Sequence, residues 1–481
     1  VASSGTPAIR FATATLLFAA AGGGAVAYAA GASASTPAHP AAVAPADAST
    51  GSVGGFNYGE LQASTVGSTG CGTNTDGEPT IHVSKANTVL LGSERGLGGG
   101  SDAWVGLGKV GGSTASACND LSYVGQPNAV GGVGASGGDI DSAFASQPLA
   151  NGNYRIYVAS LNLASVSVAH SDDNGATWTN TPVQGGLPVD DREWIAAYGQ
   201  STSLLTYHDI ATDNIDVLRS DNGGTLYTQI SQAIPATDYK ASNNELGNIV
   251  IDHLNTAGAT AGQFWAYQSF VAPSKAPANP VASATFNEAW LAVSNNGGTT
   301  WTDKPIPCTT SFGGNGLAHN FPNVSVAPNG TIWYAVSNDS SVYTATSSDH
   351  GNTWTCSGPV STNTAKAIFP WIVATSGGVD LVYYGAPSGG SNQTWYVYFA
   401  QNLGTGWSTP TQLMSVHSGA VCEGGVSCTG GRQLLDDFGV DTDSSGWAHI
   451  AYSHDAPTLG GSGTYTGYAV QVSGTTVGQP N

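Results

Sequence analysis

Ser347-Ser348-Asp349-His350-Gly351-Asn352-Thr353-Trp354 returns, unchanged at every fixed position, as Ser171-Asp172-Asp173-Asn174-Gly175-Ala176-Thr177-Trp178. A third copy, Ser294 to Trp301, has Asn296 in place of the Asp and keeps Gly298. Two worn copies begin at Ser220 and Ala400. The copies recur at intervals of roughly 50 residues, which marks a repeat architecture. Each stands between two strand-like runs and so reads as a hairpin turn. The Asp or Asn at the third position can accept hydrogen bonds from the turn backbone. Gly at the fifth position, Gly175 or Gly351, supplies a positive φ. The Trp at the end, Trp178, Trp301 or Trp354, packs its ring against the side of the hairpin. These roles are structural, and no catalysis is expected of Asp173 or Asp349.

Outward from the boxes the chain falls into a four-beat unit of short strands. First beats are expected at Pro79–Val83, Ile140–Phe144, Glu193–Ala197, Asn248–Ile251, Pro322–Val326, Pro370–Val373 and Phe438–Asp441. Four-stranded units repeated in this way make an all-β β-propeller. Seven blades are expected, with six and a circularising strand as the alternative, because the first and last units lack a recognisable box. Composition agrees. Gly numbers 66 of 481 residues and charged residues are 9%, which suits short strands and tight turns better than helices.

Residues 1–34 read as a signal peptide, with Arg10 ahead of the apolar run Phe11 to Ala30 and Ala32-Ser33-Ala34 as the cleavage signal. An uncleaved N-terminal anchor is the alternative. Residues 35–56 read as an Ala/Pro/Ser-rich linker, 57–475 as the propeller and 476–481 as a tail. The expected location is therefore outside the cell. Six Cys fit disulfides there, with fifteen possible pairings. Sequence proximity favours Cys422–Cys428, then Cys71–Cys118 and Cys308–Cys356. A formal net charge of −20 excludes the basic footprint that nucleic-acid binding needs. No zinc-type Cys/His spacing occurs, and Asp441 to Gly446 resembles the front half of a calcium loop but reads better as a hairpin; no metal or cofactor is expected.

The boxes resemble the Asp-box, or bacterial neuraminidase repeat, of the sialidase superfamily. In that family the boxes join third to fourth strands, on the face away from the active site. The resemblance thus implies that any site lies on the loops leading into first strands and out of second strands. Those loops carry Asp190-Asp191-Arg192-Glu193-Trp194, Asp139-Ile140-Asp141, Asp436-Asp437, Glu94-Arg95, His208-Asp209 and His454-Asp455. The family's catalytic pattern adds an Arg-Ile-Pro motif and three Arg for the substrate carboxylate. Here Tyr154-Arg155-Ile156-Tyr157 lacks the Pro, and Arg95, Arg192 and Arg432 are the available triad.

Another glycosidase would need two carboxyl groups flanking a sugar, about 5–5.5 Å apart for retention and about 6.5–9.5 Å for inversion. Asp191, Glu193, Asp437, Glu94, Asp209 and Asp455 are the candidates. Catalytic roles are thus expected, if anywhere, at Asp191, Glu193, Asp437, Arg192 and Arg95. Ligand contacts are expected at Glu94, His208, Asp209, His454, Asp455, Trp194 and Arg432. Trp194, Trp290, Trp371, Trp395, Trp447, Tyr207 and Tyr384 either stack on sugar rings or fill space between blades. The leading expectation is a monomer that recognises an extracellular glycan or polymer. A glycoside hydrolase and a protein–protein scaffold are the alternatives.

Overall fold

The computed structural model describes residues 50–96, 100–132, 138–162, 165–183, 190–209, 211–278, 285–312, 316–317, 321–423, 428–436, 438–455 and 463–480. The expected signal peptide and most of the expected linker lie outside these residues. The described residues form seven antiparallel sheets, six of four strands and one of five. They are the blades of a seven-bladed propeller, numbered 1 to 7 from Gly77. Their first strands are Gly77–Val83, Ile140–Phe144, Asp190–Tyr198, Glu245–Ile251, Asn323–Val326, Lys366–Ala374 and Gly439–Thr442. Every expected first beat lies in, or overlaps, one of them.

Blade 7 draws on both ends of the chain. After Gly439–Thr442, Ala448–His454 and Tyr465–Gln471, its fourth strand is Phe56–Glu60 and its fifth is Gly51–Val53. Seven blades and a circularising strand therefore coexist. The last unit has no box because its third and fourth strands are not joined by a hairpin at all. Blade 1 has none because residues 107–121, which contain Cys118, replace the short turn between its third and fourth strands. The expected linker boundary at 56 falls inside this closing sheet. The expected C-terminal tail is likewise held: Val477 is fully buried and Pro480 bridges to Thr375.

The box turns are built alike. Ser347 Oγ donates to Asp349 Oδ1 at 2.8 Å and accepts from Gly351 N at 2.9 Å. Asp349 then accepts from Thr353 N at 2.8 Å and from Thr353 Oγ1 at 2.7 Å. Ser171, Asp173, Gly175 and Thr177 repeat the network. In the third copy Asn296 Nδ2 donates to Thr300 Oγ1 instead, at 2.8 Å. The fourth position is left-handed as well as the fifth, as at His350 (φ 57°) and Gly351 (φ 79°), a requirement the sequence showed only at the Gly. Each box Gly lies against the preceding blade: Gly175 beside Val105, Gly298 beside Leu204, Gly351 beside Leu291. The box thus acts as a rivet between neighbours.

Blades are sandwiched between blades, so their middle strands are apolar on both faces. Leu204 and Leu205 are both fully buried and belong to different clusters, one on each side of blade 3. Burying one such side chain contributes about 2 kcal/mol. Around the axis, first strands splay too widely for ladder pairing, and polar side chains span the gap. Asp141 Oδ2 accepts from Ile195 N (2.8 Å), Asn248 Oδ1 from Val324 N (2.8 Å), Asn323 Oδ1 from Ile372 N (2.8 Å) and Asp441 Oδ2 from Val83 N (2.7 Å). Asp441 is thus a clamp and Asp443 a hairpin residue, its Oδ1 accepting from Ser445 N and Trp447 N. The disulfides are Cys71–Cys118, Cys308–Cys356 and Cys422–Cys428, the pairing that proximity favoured.

Candidate active site at the mouth of the channel

Several first strands open with a β-bulge. The register slips between Gly77 and Thr80, Asp191 and Trp194, Leu246 and Ile249, and Ile368 and Trp371. Glu78, Arg192 and Phe369 sit in these bulges with φ of 49°, 52° and 52°. At the corresponding position of blade 4, Gly247 leaves no room for a side chain against the Pro322 carbonyl. Left-handed backbone costs a non-glycine residue of order 1–3 kcal/mol and is typically retained where it aims a side chain. Here it sends Glu78 and Arg192 across the mouth of the channel.

Arg192 is the hub. Its Nη1 lies 3.1 Å from Asp139 Oδ1 and 3.5 Å from Glu78 Oε1. Its backbone N donates to Asp139 Oδ2 at 3.0 Å. The guanidinium carbon lies 4.7 Å from the centre of the Trp194 ring and 4.5 Å from that of Phe321, a cation–π arrangement. Arg432 Nη2 donates to Asp436 Oδ2 at 2.6 Å. Glu94, Asp191, Glu193 and Glu245 all lie within the field of Arg192 and Asp139.

Burial, and then the charge of Asp139, lift Glu94 and Asp191 to about 7 against the pull of the guanidinium groups. Asp139 is the charged neighbour that raises Asp191 most. Glu78, Glu193 and Glu245 are pushed up by burial, and then by neighbouring carboxylates. Raised values of this kind, in several carboxyl groups at one channel mouth, are what acid–base chemistry requires.

An aromatic layer lies beneath. The Trp194 ring is 5.6 Å from that of Trp371. Trp371 in turn lines a cavity of about 200 Å³ to which every first strand contributes, among them His82, Ile195, Ile249, Val324 and Val440.

Of the expected site residues, Asp191, Arg192, Glu193, Glu94 and Arg432 come together, with Trp194 beneath them. Asp437 lies outside the described residues; its neighbour Asp436 is in the cluster. Arg95 turns elsewhere, its Nε lying 3.7 Å from both Asp76 and Asp102, so the three guanidinium groups do not converge. His208 and Asp209 build a turn. His208 Nε2 lies 3.0 Å from Asp213 O, and Asp209 accepts from Ala211 N and Thr212 Oγ1. His454 and Asp455 are buried in blade 7, where Asp455 Oδ2 bonds His417 Nδ1 at 2.8 Å. Burial takes His454 down to about 3, so it packs as a neutral ring beside Tyr452 and Tyr465. Glu78 and Glu245 were missed because each precedes the apolar run that marks its strand. The only sequence signal for them is a carboxylate just ahead of a first beat.

No family profile matches the chain, and no curated protein does. Among solved structures, the chain is similar to an α-L-arabinofuranosidase from Fusarium graminearum in complex with an iminosugar inhibitor. The identity is 11%, over 86% of this chain and 98% of that one, with a TM-score of 0.44. It is similar to an α-L-arabinanase from Penicillium chrysogenum complexed with arabinobiose, at 10% identity over 85% and 98%, TM-score 0.45. A polysaccharide lyase, an ulvan lyase, matches at 8% over 82% and 93%, TM-score 0.45. At such identities and scores the likeness bears on neither site nor substrate.

Proposed function

We propose that the chain is a secreted glycoside hydrolase working at the channel mouth, on a sialidase-like Asp-box scaffold. The observation that carries this reading is the convergence of Glu94, Asp191 and Asp139 around Arg192, with Glu94 and Asp191 near 7. A binding module would instead offer exposed aromatic platforms. Trp194, Trp290, Trp371 and Trp395 are all buried.

In this reading Glu94 is the general acid. At neutral pH much of it is protonated, so it can donate to a glycosidic oxygen. Asp191 stands beside Asp139, which Arg192 holds through its Nη1 and its backbone N. Relieved of its proton, Asp191 supplies the carboxylate that attacks the anomeric carbon or activates water. Glu94 and Asp139 lie within each other's field, so the acid and the attacking carboxylate would share one site. The disulfides suit an oxidising compartment. Among the described residues no helix is long and apolar enough to cross a membrane. A sialoside is disfavoured, because Arg192 and Arg432 are already matched by carboxylates and Arg95 is engaged elsewhere.

The test is hydrolysis of a panel of aryl glycosides, a sialoside included, by the wild type, Glu94→Gln and Asp139→Asn. Loss of the acid is expected to slow aryl glycosides with poor leaving groups by about 10²–10⁴-fold and those with good leaving groups much less. Absence of turnover on every sugar, with retention of the protein on a glycan array, would return the reading to recognition alone.

A further inference from the structure

The channel mouth is short of positive charge. Glu78, Glu94, Asp139, Asp191, Glu193, Glu245 and Asp436 share it with Arg192 and Arg432. Each guanidinium is already in an ion pair, Arg192 with Asp139 and Glu78, Arg432 with Asp436. A second observation concerns one of these groups by its surroundings. Glu193 is 1% exposed and its carboxyl oxygens have no partner beyond its own backbone N–H. A buried polar group left in this way costs about 1–3 kcal/mol or more, and such groups call for an explanation by what is absent. The net charge of −20 adds a long-range field that draws cations toward the protein and repels anions.

We infer that the ligand brings the missing charge: the site takes a saccharide bearing a free amino group, whose ammonium sits among Glu78, Glu94, Asp191 and Glu193. This rests on the hydrolase reading above and narrows its substrate. The ammonium is a three-donor cation. It would satisfy carboxyl oxygens that Arg192 and Arg432 do not reach, and the sugar hydroxyls would serve the rest. An N-acetylated sugar lacks the charge, and a uronic acid carries the wrong one. Proton linkage follows. Glu94 faces Asp139, Asp436, Arg432 and Arg192, and Asp191 faces Asp139, Arg192 and Asp436. A cation arriving among them favours their charged forms, so binding near pH 7 releases protons.

The experiment is titration calorimetry on the full chain at pH 7, in two buffers of different ionisation enthalpy. The probes are a glucosamine tetrasaccharide, its N-acetylated counterpart, a neutral glucose tetrasaccharide and a galacturonate tetrasaccharide. Putrescine and calcium chloride are titrated alone. The glucosamine oligomer is expected to bind about tenfold or more tightly than the others, matching one charge-assisted contact, and to release protons. Glu94→Gln is expected to shrink that preference while the far-ultraviolet circular dichroism stays unchanged. Equal or tighter binding of the N-acetylated, neutral or anionic oligomer overturns the inference and leaves the hydrolase reading intact. So does binding of the amine without proton release. Putrescine or calcium binding as tightly as the amino sugar also overturns it, since the cluster would then be a plain cation site. Failure of every saccharide to bind or turn over sinks both readings.

Discussion

Glu78 and Arg192 meet at 3.5 Å although their strands belong to blades 1 and 3, which share no edge. The contact passes over blade 2, and Asp139 from that blade's entry closes it from below at 3.1 Å. Three consecutive blades are thus tied together by one side chain at the point where the chemistry is proposed.

Arg192→Met keeps much of the stem and removes the charge. Asp139 and Glu78 then lose the guanidinium between them, and removing one partner of a buried pair typically costs about 3–5 kcal/mol. Urea denaturation at pH 7 should show a loss of that order. The loss should shrink at pH 5, below the values of about 7 at Glu94 and Asp191, where protonation of those neighbours relieves the cluster. An equal loss at both pH values would mean that packing on Trp194 and Phe321, not charge, is what Arg192 contributes.

The titration of Glu94 and Asp191 has an unusual sign for acidic residues. Their folded-state values, about 7, lie above the ordinary unfolded ones of about 4. Between those limits the native state binds more protons than the unfolded one, so stability falls as pH rises. Melting temperature should therefore decline from pH 5 to pH 8. The decline should be shallower in Glu94→Gln/Asp191→Asn, a comparison that separates these groups from general acidic repulsion. Activity should fall off above about pH 7 as the acid is lost, and an alkaline limb unmoved in Glu94→Gln would rule out that assignment.

Asp349 behaves in the opposite way. Its hydrogen bonds from Thr353 hold it down to about 2. Its contribution is therefore present above pH 4 and disappears only as the pH falls toward 2. Asp349→Ala should destabilise the protein by about 1–2 kcal/mol and leave kcat/KM unchanged. A drop in turnover with intact folding would put the box in the site after all.

The Cys71–Cys118 bond ties the segment that follows the closing strand to blade 1. By chain entropy a loop of 47 residues gains about 4 kcal/mol from its closure. Cys71→Ser/Cys118→Ser should lower the denaturation midpoint accordingly. Truncation through Glu60 should go further, baring the edge of Tyr465–Gln471 and producing aggregates on gel filtration. A monodisperse truncated protein would show that the closing strand is dispensable.

The blades were legible because their signals are local: a Ser, an Asp, a Gly and a Trp within eight residues, and short apolar runs between turns. The ring closure was not. Phe56–Glu60 lies in a Gly-rich stretch, and its partner is more than four hundred residues away. Asp191, Arg192 and Glu193 stood out as charges packed against an apolar run. Glu78 and Glu245 did not, since a lone carboxylate gains meaning only when the ring brings it beside others. His208-Asp209 looked like a site in sequence because turn-capping and ligand-binding residues are of the same types. Only the occupied oxygens of Asp209 tell them apart.

The five-stranded blade has a consequence in time. Phe56–Glu60 leaves the ribosome long before Tyr465–Gln471, yet its place opens only when that strand exists. Until that pairing forms the propeller is an open arc with two raw edges. Contacts of such separation are slow to form. The last blade to be made is therefore the step that commits the molecule, and only then do Glu78 of blade 1 and Asp436, at the entry to blade 7, come to share one channel mouth.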